Sequence, residues 1–406
     1  MNLSLFEFRS ILFWKLLCLH ITMIQSIYVI LTFIVSAFSN PIISANSELL
    51  HFSGRWLTSM DGTSAYADWP SSTVSLTYFG THLYMILADP LVHSCSSFFL
   101  DVYIDCIHDS TIKITKKSDK IITIANNTTN TDHSVRIVKR TESSISHTCG
   151  IWSLSGFSVI GSFMSPNHHK CRTLTNRNIL FIGDSLTAGY GVDGQEPCHD
   201  LEALENSDHS YATLVSWYFG ANFHIIAWSG RGLVKNARDE NSESDPDTTM
   251  PFLFNRTIAY YSTQAKPAGQ VNTYNMSRFM PDVICINLGS NDYSSDPIPT
   301  STTFNSHYVT FIQHLLTLYP RSTLFVMCGP HRSADKEPFC TNIMTIVSTF
   351  NSTTSQVNYV NMKGILAEKS DWGCGSHPSM KGSIKMEKVL EDAIELNVNW
   401  STTTST

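Results

Sequence analysis

Residues 178–191 read Asn178-Ile179-Leu180-Phe181-Ile182-Gly183-Asp184-Ser185-Leu186-Thr187-Ala188-Gly189-Tyr190-Gly191. A short apolar run with no polar alternation suits a strand buried on both faces of a sheet, and it runs straight into a small-residue turn that carries one hydroxyl. Further runs of the same kind follow at His224 to Trp228, Val283 to Leu288, Thr323 to Cys328 and Asn358 to Met362. Between and after them, Ser210 to Phe219, Phe304 to Leu318, Thr341 to Phe350 and Met380 to Leu396 place apolar residues three and four apart, the period of a helix with one buried face. Strands alternating with helices predict an α/β unit with a doubly wound parallel sheet over residues 172–398. Its chemistry is expected beyond the carboxyl ends of the strands.

Upstream the periodicity changes. Val74 to Tyr78, Leu83 to Leu87, Phe98 to Ile104, Ile121 to Ala125, Ser134 to Lys139 and Phe157 to Ser162 are β-branched or aromatic runs separated by Gly, Asn, Asp and Ser clusters. With no helix-length pattern among them, residues 47–167 predict an all-β antiparallel sandwich of jelly-roll type. Ser165 to Asn178 then reads as a linker. Its adjacent His168 and His169 lack the ligand spacing of a metal site and read as solvated loop residues.

At the N-terminus, Ile11 to Ser39 is apolar, interrupted mainly by Lys15, His20 and Gln25, with Arg9 and Lys15 on its leading side. Residues 1–39 are an export signal in either of two forms. A cleaved signal peptide would use Ile27 to Phe38 as its core, with Ala37 and Ser39 before the cut. An uncleaved anchor would cross the bilayer with its positive end inside and tether the rest of the chain outside. Both deliver the protein to an extracellular or lumenal side. Sequons begin at Asn126, Asn127, Asn255, Asn275, Asn351 and Asn399, as a glycosylated exported protein would carry them. Ten cysteines less Cys18 in the leader leave nine, so at least one thiol stays free or pairs with another chain. Cys95 with Cys106 and Cys328 with Cys340 are plausible local pairs.

The chain has 406 residues, 15% of them charged, with a formal net charge of -7. No Lys/Arg block is present to track a phosphate backbone, so nucleic acid is not an expected partner. The aromatic content of 11% and the long apolar runs exclude disorder.

Four blocks, each just past an apolar run or before the last helix, carry candidate chemistry. Ser185, in the first turn, can expose both its hydroxyl and its backbone N–H at the sheet edge. Ser229-Gly230-Arg231-Gly232 offers glycine amides that a ligand can approach closely. Gly289-Ser290-Asn291-Asp292 offers a side-chain amide. An amide beside two backbone N–H groups makes an oxyanion hole. His377-Pro378, ahead of the last helix, is placed to act as general base for Ser185.

The order Gly-Asp-Ser-Leu at 183–186, Gly230, Gly-x-Asn-Asp at 289–292 and His-Pro at 377–378 resembles the SGNH (GDSL) hydrolase superfamily. That resemblance implies a three-layer α/β/α flavodoxin-like fold. It also implies Ser185 as nucleophile, His377 as base, and Ser185 N–H, Gly230 N–H and the Asn291 side chain as oxyanion hole, with Gly232 as an alternative to Gly230. More widely, the chain is similar to the two-domain family 2 carbohydrate esterases. The similarity is carried by Phe52-Ser53-Gly54-Arg55-Trp56, Val135 to Arg140 ahead of Ser155-Gly156-Phe157, Trp228 to Gly232, Thr249-Met250-Pro251 and Gly373-Cys374-x-x-His377-Pro378. One position departs from the pattern. Most SGNH hydrolases have an Asp three residues before the His, and here Cys374 and Gly375 occupy that stretch. Asp371, bent back to His377, would complete a triad; a backbone carbonyl on the imidazole would leave a Ser-His dyad.

The resemblance implies a serine esterase that removes O-acetyl groups from polysaccharide or oligosaccharide, of the acetylxylan or acetylglucomannan type, with no metal or organic cofactor. A cell-surface carbohydrate-binding protein with weak turnover is a competing reading. An esterase or lipase for other small esters is another. Asp184 reads as an anchor of the turn, Tyr190 and Trp372 as aromatics flanking the motifs, and Arg231 as a partner in a structural salt bridge.

Overall fold

The computed structural model describes residues 40–88, 97–145, 148–165, 175–259, 272–330, 338–351 and 356–400. The leader, Cys95, His168 and His169 lie outside the described residues. Among the described residues no helix is long and apolar enough to cross a membrane.

The N-terminal domain is all-β. Its strands are β1 (Ile42–Ser44), β2 (His51–Ser53), β3 (Leu57–Thr58), β4 (Ala65–Ala67), β5 (Thr73–Leu87), β6 (Ser97–Ile104), β7 (Ile107–Thr115), β8 (Ile121–Lys139) and β11 (Trp152–Met164), with a small hairpin of β9 (Ser144–Ile145) and β10 (Thr148–Cys149). A nine-stranded sheet runs in the order β3-β4-β11-β5-β8-β6-β7, with β2 also on β5. The long strands differ from the expectation of many short ones. The runs Val74 to Tyr78 and Leu83 to Leu87 are halves of β5, and Ile121 to Ala125 and Ser134 to Lys139 are halves of β8. Between the halves of β8 the polar stretch Asn126 to Asp132 faces mostly outward, so hydrophobic alternation lapses, and the pairing with β5 jumps from Asn126 opposite His82 to Thr131 opposite Gly80. Register slips interrupt the β5–β8 pairing between Gly80 and His82 and the β11–β5 pairing at Gly161. Gly80 and Gly161 face each other there, and a Cβ on Gly161 would sit 1.9 Å from the Phe79 carbonyl oxygen. Bulges of this kind bend a strand. Val74, Tyr78, Leu100, Ile137, Trp152 and Phe157 are buried together in the resulting core.

The second domain carries five parallel strands, β12 (Asn178–Gly183), β13 (Asn222–Ala227), β14 (Val283–Asn287), β15 (Thr323–Cys328) and β16 (Val357–Asn361). Their order, β13-β12-β14-β15-β16, is the flavodoxin-like arrangement with its switch point beside the first strand. Helices are α1 (Ser185–Ala188), α2 (Tyr211–Tyr218), α3 (Ser301–Leu318), α4 (Phe339–Asn351) and α5 (Met380–Val398). Alternate strand residues face opposite layers. Leu180, Ile182, Ile284 and Ile286 pack with Phe304, Tyr308, Ile343 and Val347 of α3 and α4. Ile179, Phe181, Val283 and Phe325 pack with Ala212, Val215, Met386 and Leu390 of α2 and α5. Strands buried on both faces explain why the sequence shows apolar runs instead of alternation.

The two domains are joined by polar contacts under cover. Arg55, buried, donates to the carbonyls of Phe254 and Arg256 and lies 4.1 Å from the Tyr274 ring centre. Arg136 pairs with Asp208 at 2.6 Å, and Arg140 with Asp193 at 2.6 Å. The motif Phe52 to Trp56, conspicuous in the sequence, therefore includes an interdomain rivet.

Candidate active site

β12 ends at Gly183 and the chain turns at once into α1. A Cβ on Gly183 would lie 2.0 Å from Thr187 Oγ1, so only glycine allows the helix to start this close to the strand. Asp184 caps that helix, accepting from the Leu186 amide at 3.0 Å. Ser185, the first helical residue, thereby stands at the carboxyl edge of the sheet.

His377 reaches the serine from the opposite side. Its Nε2 is 2.6 Å from Ser185 Oγ, and its Nδ1 is 2.8 Å from the Gly375 carbonyl oxygen. A carbonyl can only accept, so the neutral ring carries its proton on Nδ1, and Nε2 is left with a lone pair facing the serine hydroxyl. Tyr190 lies beside this pair, its ring centre 4.7 Å from that of His377.

The backbone carbonyl thus takes the place open to a carboxylate. Asp371 is buried elsewhere, accepting from the Glu368 amide at 2.9 Å and from Lys385 Nζ at 2.7 Å on α5. The loop that carries the histidine is stapled instead. Cys374 is disulfide-bonded to Cys198, Gly375 N–H donates to Glu196 Oε1 at 2.7 Å, and Cys374 N–H donates to the Gly191 carbonyl at 3.0 Å. Cys328 and Cys340 form the second disulfide, Cys106 is also disulfide-bonded, and Cys285 is a buried free thiol.

The oxyanion candidates occupy the remaining edge. Gly230 has φ +76°, and a Cβ there would meet nothing nearer than the Ala237 Cβ at 3.9 Å, so its approach side is open. Among the described residues no acceptor engages the N–H of Gly230 or of Ser185. Gly232 is different: its N–H donates to Asn236 Oδ1 at 3.1 Å, and a Cβ there would lie 1.9 Å from the Lys235 carbonyl. The geometry favours Gly230 over Gly232 as the approachable amide.

Asn291 Nδ2 donates to Asp184 Oδ2 at 3.0 Å and to the Arg231 carbonyl at 2.9 Å. Both neighbours are acceptors, which fixes the amide orientation, and a ligand oxygen would share one of these N–H groups in a three-centre bond. Ser290 Oγ also donates to Asp184, at 2.5 Å. Asp184 therefore anchors the turn and also ties the first block to the third, while Asn291 ties the third to the second. Burial pushes the Asp184 carboxyl up to about 6, although Ser290 and the Leu186 amide hold it down in part. Arg231 makes a different contact from the expected salt bridge: it donates to the Thr248 carbonyl at 3.2 Å and lies 4.3 Å from the Trp228 ring centre.

Two features of the site carried no motif in the sequence. Cys198 sits in an irregular loop far from Cys374 in the chain. Glu142, from the β-rich domain, accepts from the Ser229 amide next to Gly230 at 2.5 Å. Among the described residues no group of three or more His, Cys, Asp or Glu side chains could hold a metal ion.

A serine with an oriented histidine beside open amides at a sheet edge defines a serine ester hydrolase. Residues 181–383 match the GDSL-like lipase/acylhydrolase family, and residues 52–159 match the carbohydrate esterase 2 N-terminal family. The chain belongs to the GDSL-like lipase/acylhydrolase family, and its β-rich domain matches the N-terminal domain of carbohydrate esterase 2. It is similar to an acetylxylan esterase/glucomannan deacetylase of Cellvibrio japonicus, 23% identical over 367 residues, 89% of this chain and 92% of that protein. It is also similar to the cellulase/esterase CelE of Acetivibrio thermocellus, 27% identical over 230 residues, 55% of this chain and 26% of that protein. Among solved structures it is similar in fold to a family two carbohydrate esterase from Clostridium thermocellum in complex with cellohexaose, with a TM-score of 0.73, 24% identity, and 87% of this chain and 100% of that chain covered.

Proposed function

We propose that this protein is a serine esterase that removes O-acetyl groups from plant-type polysaccharide or oligosaccharide, of the acetylxylan or glucomannan kind. The observation that carries the reaction type is the contact of His377 Nε2 with Ser185 Oγ, with Nδ1 held by the Gly375 carbonyl. The substrate class rests on the two-domain carbohydrate esterase architecture and on the relative that acts as acetylxylan esterase and glucomannan deacetylase.

In the reaction, Ser185 Oγ forms a bond to the acetyl carbonyl carbon while His377 Nε2 takes its proton. The carbonyl oxygen becomes an oxyanion facing the N–H groups of Ser185 and Gly230 and the Asn291 amide. As the tetrahedral adduct collapses, the ester C–O bond breaks and the imidazolium protonates the departing sugar hydroxyl. Water, deprotonated by the same histidine, then attacks the acetyl-serine and releases acetate and the free serine. Every step is served by residues of the chain.

The leader supports export, and exposed sequon asparagines at 126, 127, 275 and 399 suit a glycosylated surface. The test is acetate release from acetylated xylan and acetylated glucomannan by the protein and by Ser185→Ala. Serine-dependent release is expected. No release from either polymer, with small-ester hydrolysis also absent, would favour a binding protein built on an esterase cleft.

A further inference from the structure

The stretch Lys139-Arg140-Thr141-Glu142-Ser143 of the β-rich domain is polar throughout and buried throughout, none of its residues more than 9% exposed. Burying polar groups costs free energy unless each is hydrogen-bonded, and here most are. Lys139 Nζ donates to the carbonyls of Thr141 and Glu142, at 2.5 and 2.8 Å. Arg140 donates to the carbonyls of Glu205 and Ala203 and pairs with Asp193. The Glu142 amide donates to Glu205 Oε1 at 2.7 Å. This rigid segment delivers one side chain to the hydrolase site: Glu142, whose Oε2 takes the Ser229 N–H at 2.5 Å.

Ser229 is the residue before Gly230. The Gly230 carbonyl accepts from Ala237 N–H at 2.8 Å, and the following Arg231 carbonyl is held by Asn291. At a positive-φ glycine with open space around it, the backbone has little steric restraint of its own. Its direction is set by the hydrogen bonds on either side, and on the N-terminal side the Glu142 bond supplies one of them. We propose that Glu142 is a positioning residue for ester hydrolysis: the β-rich domain, through this carboxyl group, holds the Ser229-Gly230 backbone so that the Gly230 N–H faces the developing oxyanion. The proposal rests on the esterase reading above. It makes the N-terminal domain part of the catalytic framework, separate from any part it takes in holding polysaccharide.

The other oxygens agree with an acceptor role rather than a charge role. Glu142 Oε1 and Glu205 Oε2 are buried, and among the described residues neither takes a hydrogen bond. Burial pushes both carboxyls up, Glu142 to about 7 and Glu205 well above its ordinary value, so the pair does not carry two full charges near neutral pH. What the site needs from Glu142 is one oxygen at the Ser229 amide.

The test is a series at one position: Glu142→Gln keeps an acceptor oxygen at full reach, Glu142→Asp withdraws it by one methylene, and Glu142→Ala removes it. With p-nitrophenyl acetate as substrate, kcat per folded enzyme is expected to fall about 10- to 100-fold in Asp and Ala with KM little changed, and to be largely retained in Gln. Inhibition by a boronic acid, which mimics the tetrahedral adduct, should weaken in step with kcat. If Ala does not fold, the Gln and Asp pair decides. Unchanged kcat in Asp, a Gln variant as impaired as Asp, or a change confined to KM or melting temperature would overturn the proposal. Ser185→Ala run beside the series separates the two ideas: activity surviving in Ser185→Ala sinks the esterase reading itself, whereas serine-dependent activity with a flat Glu142 series sinks only the positioning role.

Discussion

The two partners of the candidate dyad are held by opposite means. Ser185 stands at the end of a strand buried on both faces, where Gly183 and the Asp184 cap convert β12 into α1 within two residues. His377 stands in an irregular loop with positive φ at Gly375 and Ser376, fixed by a disulfide to Cys198, a Glu196 contact and the Gly375 carbonyl. A nucleophile placed by sheet geometry needs little further support. A base placed by a loop must be tied down at several points, and here the Gly375 carbonyl accepts the imidazole Nδ1–H at 2.8 Å.

Substitutions on the two sides should therefore differ in kind. The largest effect is expected from Ser185→Ala, with kcat falling by about 10⁶ toward background, the melting temperature nearly unchanged, and no acetyl group retained on the protein. Next, Asn291→Ala should lower kcat by about 10²–10³ through loss of an oxyanion donor. An effect on KM alone would place the hole elsewhere. On the histidine side, Cys198→Ser should cost activity about tenfold by loosening the loop. It should also cost stability of the size usual for a lost native disulfide, about 2–5 kcal/mol; both are readable by kinetics and thermal unfolding with and without reductant. If activity and melting temperature both match the wild type, the loop does not depend on its staple.

The same contrast explains what could be read from sequence. The apolar runs from Asn178 to Met362 marked the strands because a sheet covered on both faces demands unbroken hydrophobicity, and the motifs at their ends fell where such a sheet exposes its chemistry. The contacts of Asp184 with Asn291 and of Cys198 with Cys374 join residues far apart in the chain, and no local spacing encodes them. In the sequence Cys374 is part of the Gly373-Cys374-x-x-His377-Pro378 similarity and stands where most relatives of the superfamily have the acid. Its bond to Cys198 makes it part of what holds the loop. The halves of β5 and β8 read as separate strands because Thr81-His82 and Asn126 to Asp132 are polar and not buried, and the pairing slips there before it resumes on the far side. Glu142 was invisible: a lone acid after a strand carries no signature until the second domain folds over it.

The central claim is that the Gly375 carbonyl, in place of Asp371, orients His377. Asp371→Asn tests it most directly, because Asp371 is the near carboxylate in sequence and is engaged with Lys385 and the Glu368 amide in the structure. Measured as kcat per active site on acetylated xylan, with folded enzyme counted separately, the substitution is expected to change turnover by no more than a few-fold while destabilising the α5 contact. A fall approaching the ~10⁴ seen when a triad aspartate is neutralised would contradict the dyad and restore Asp371 to the site.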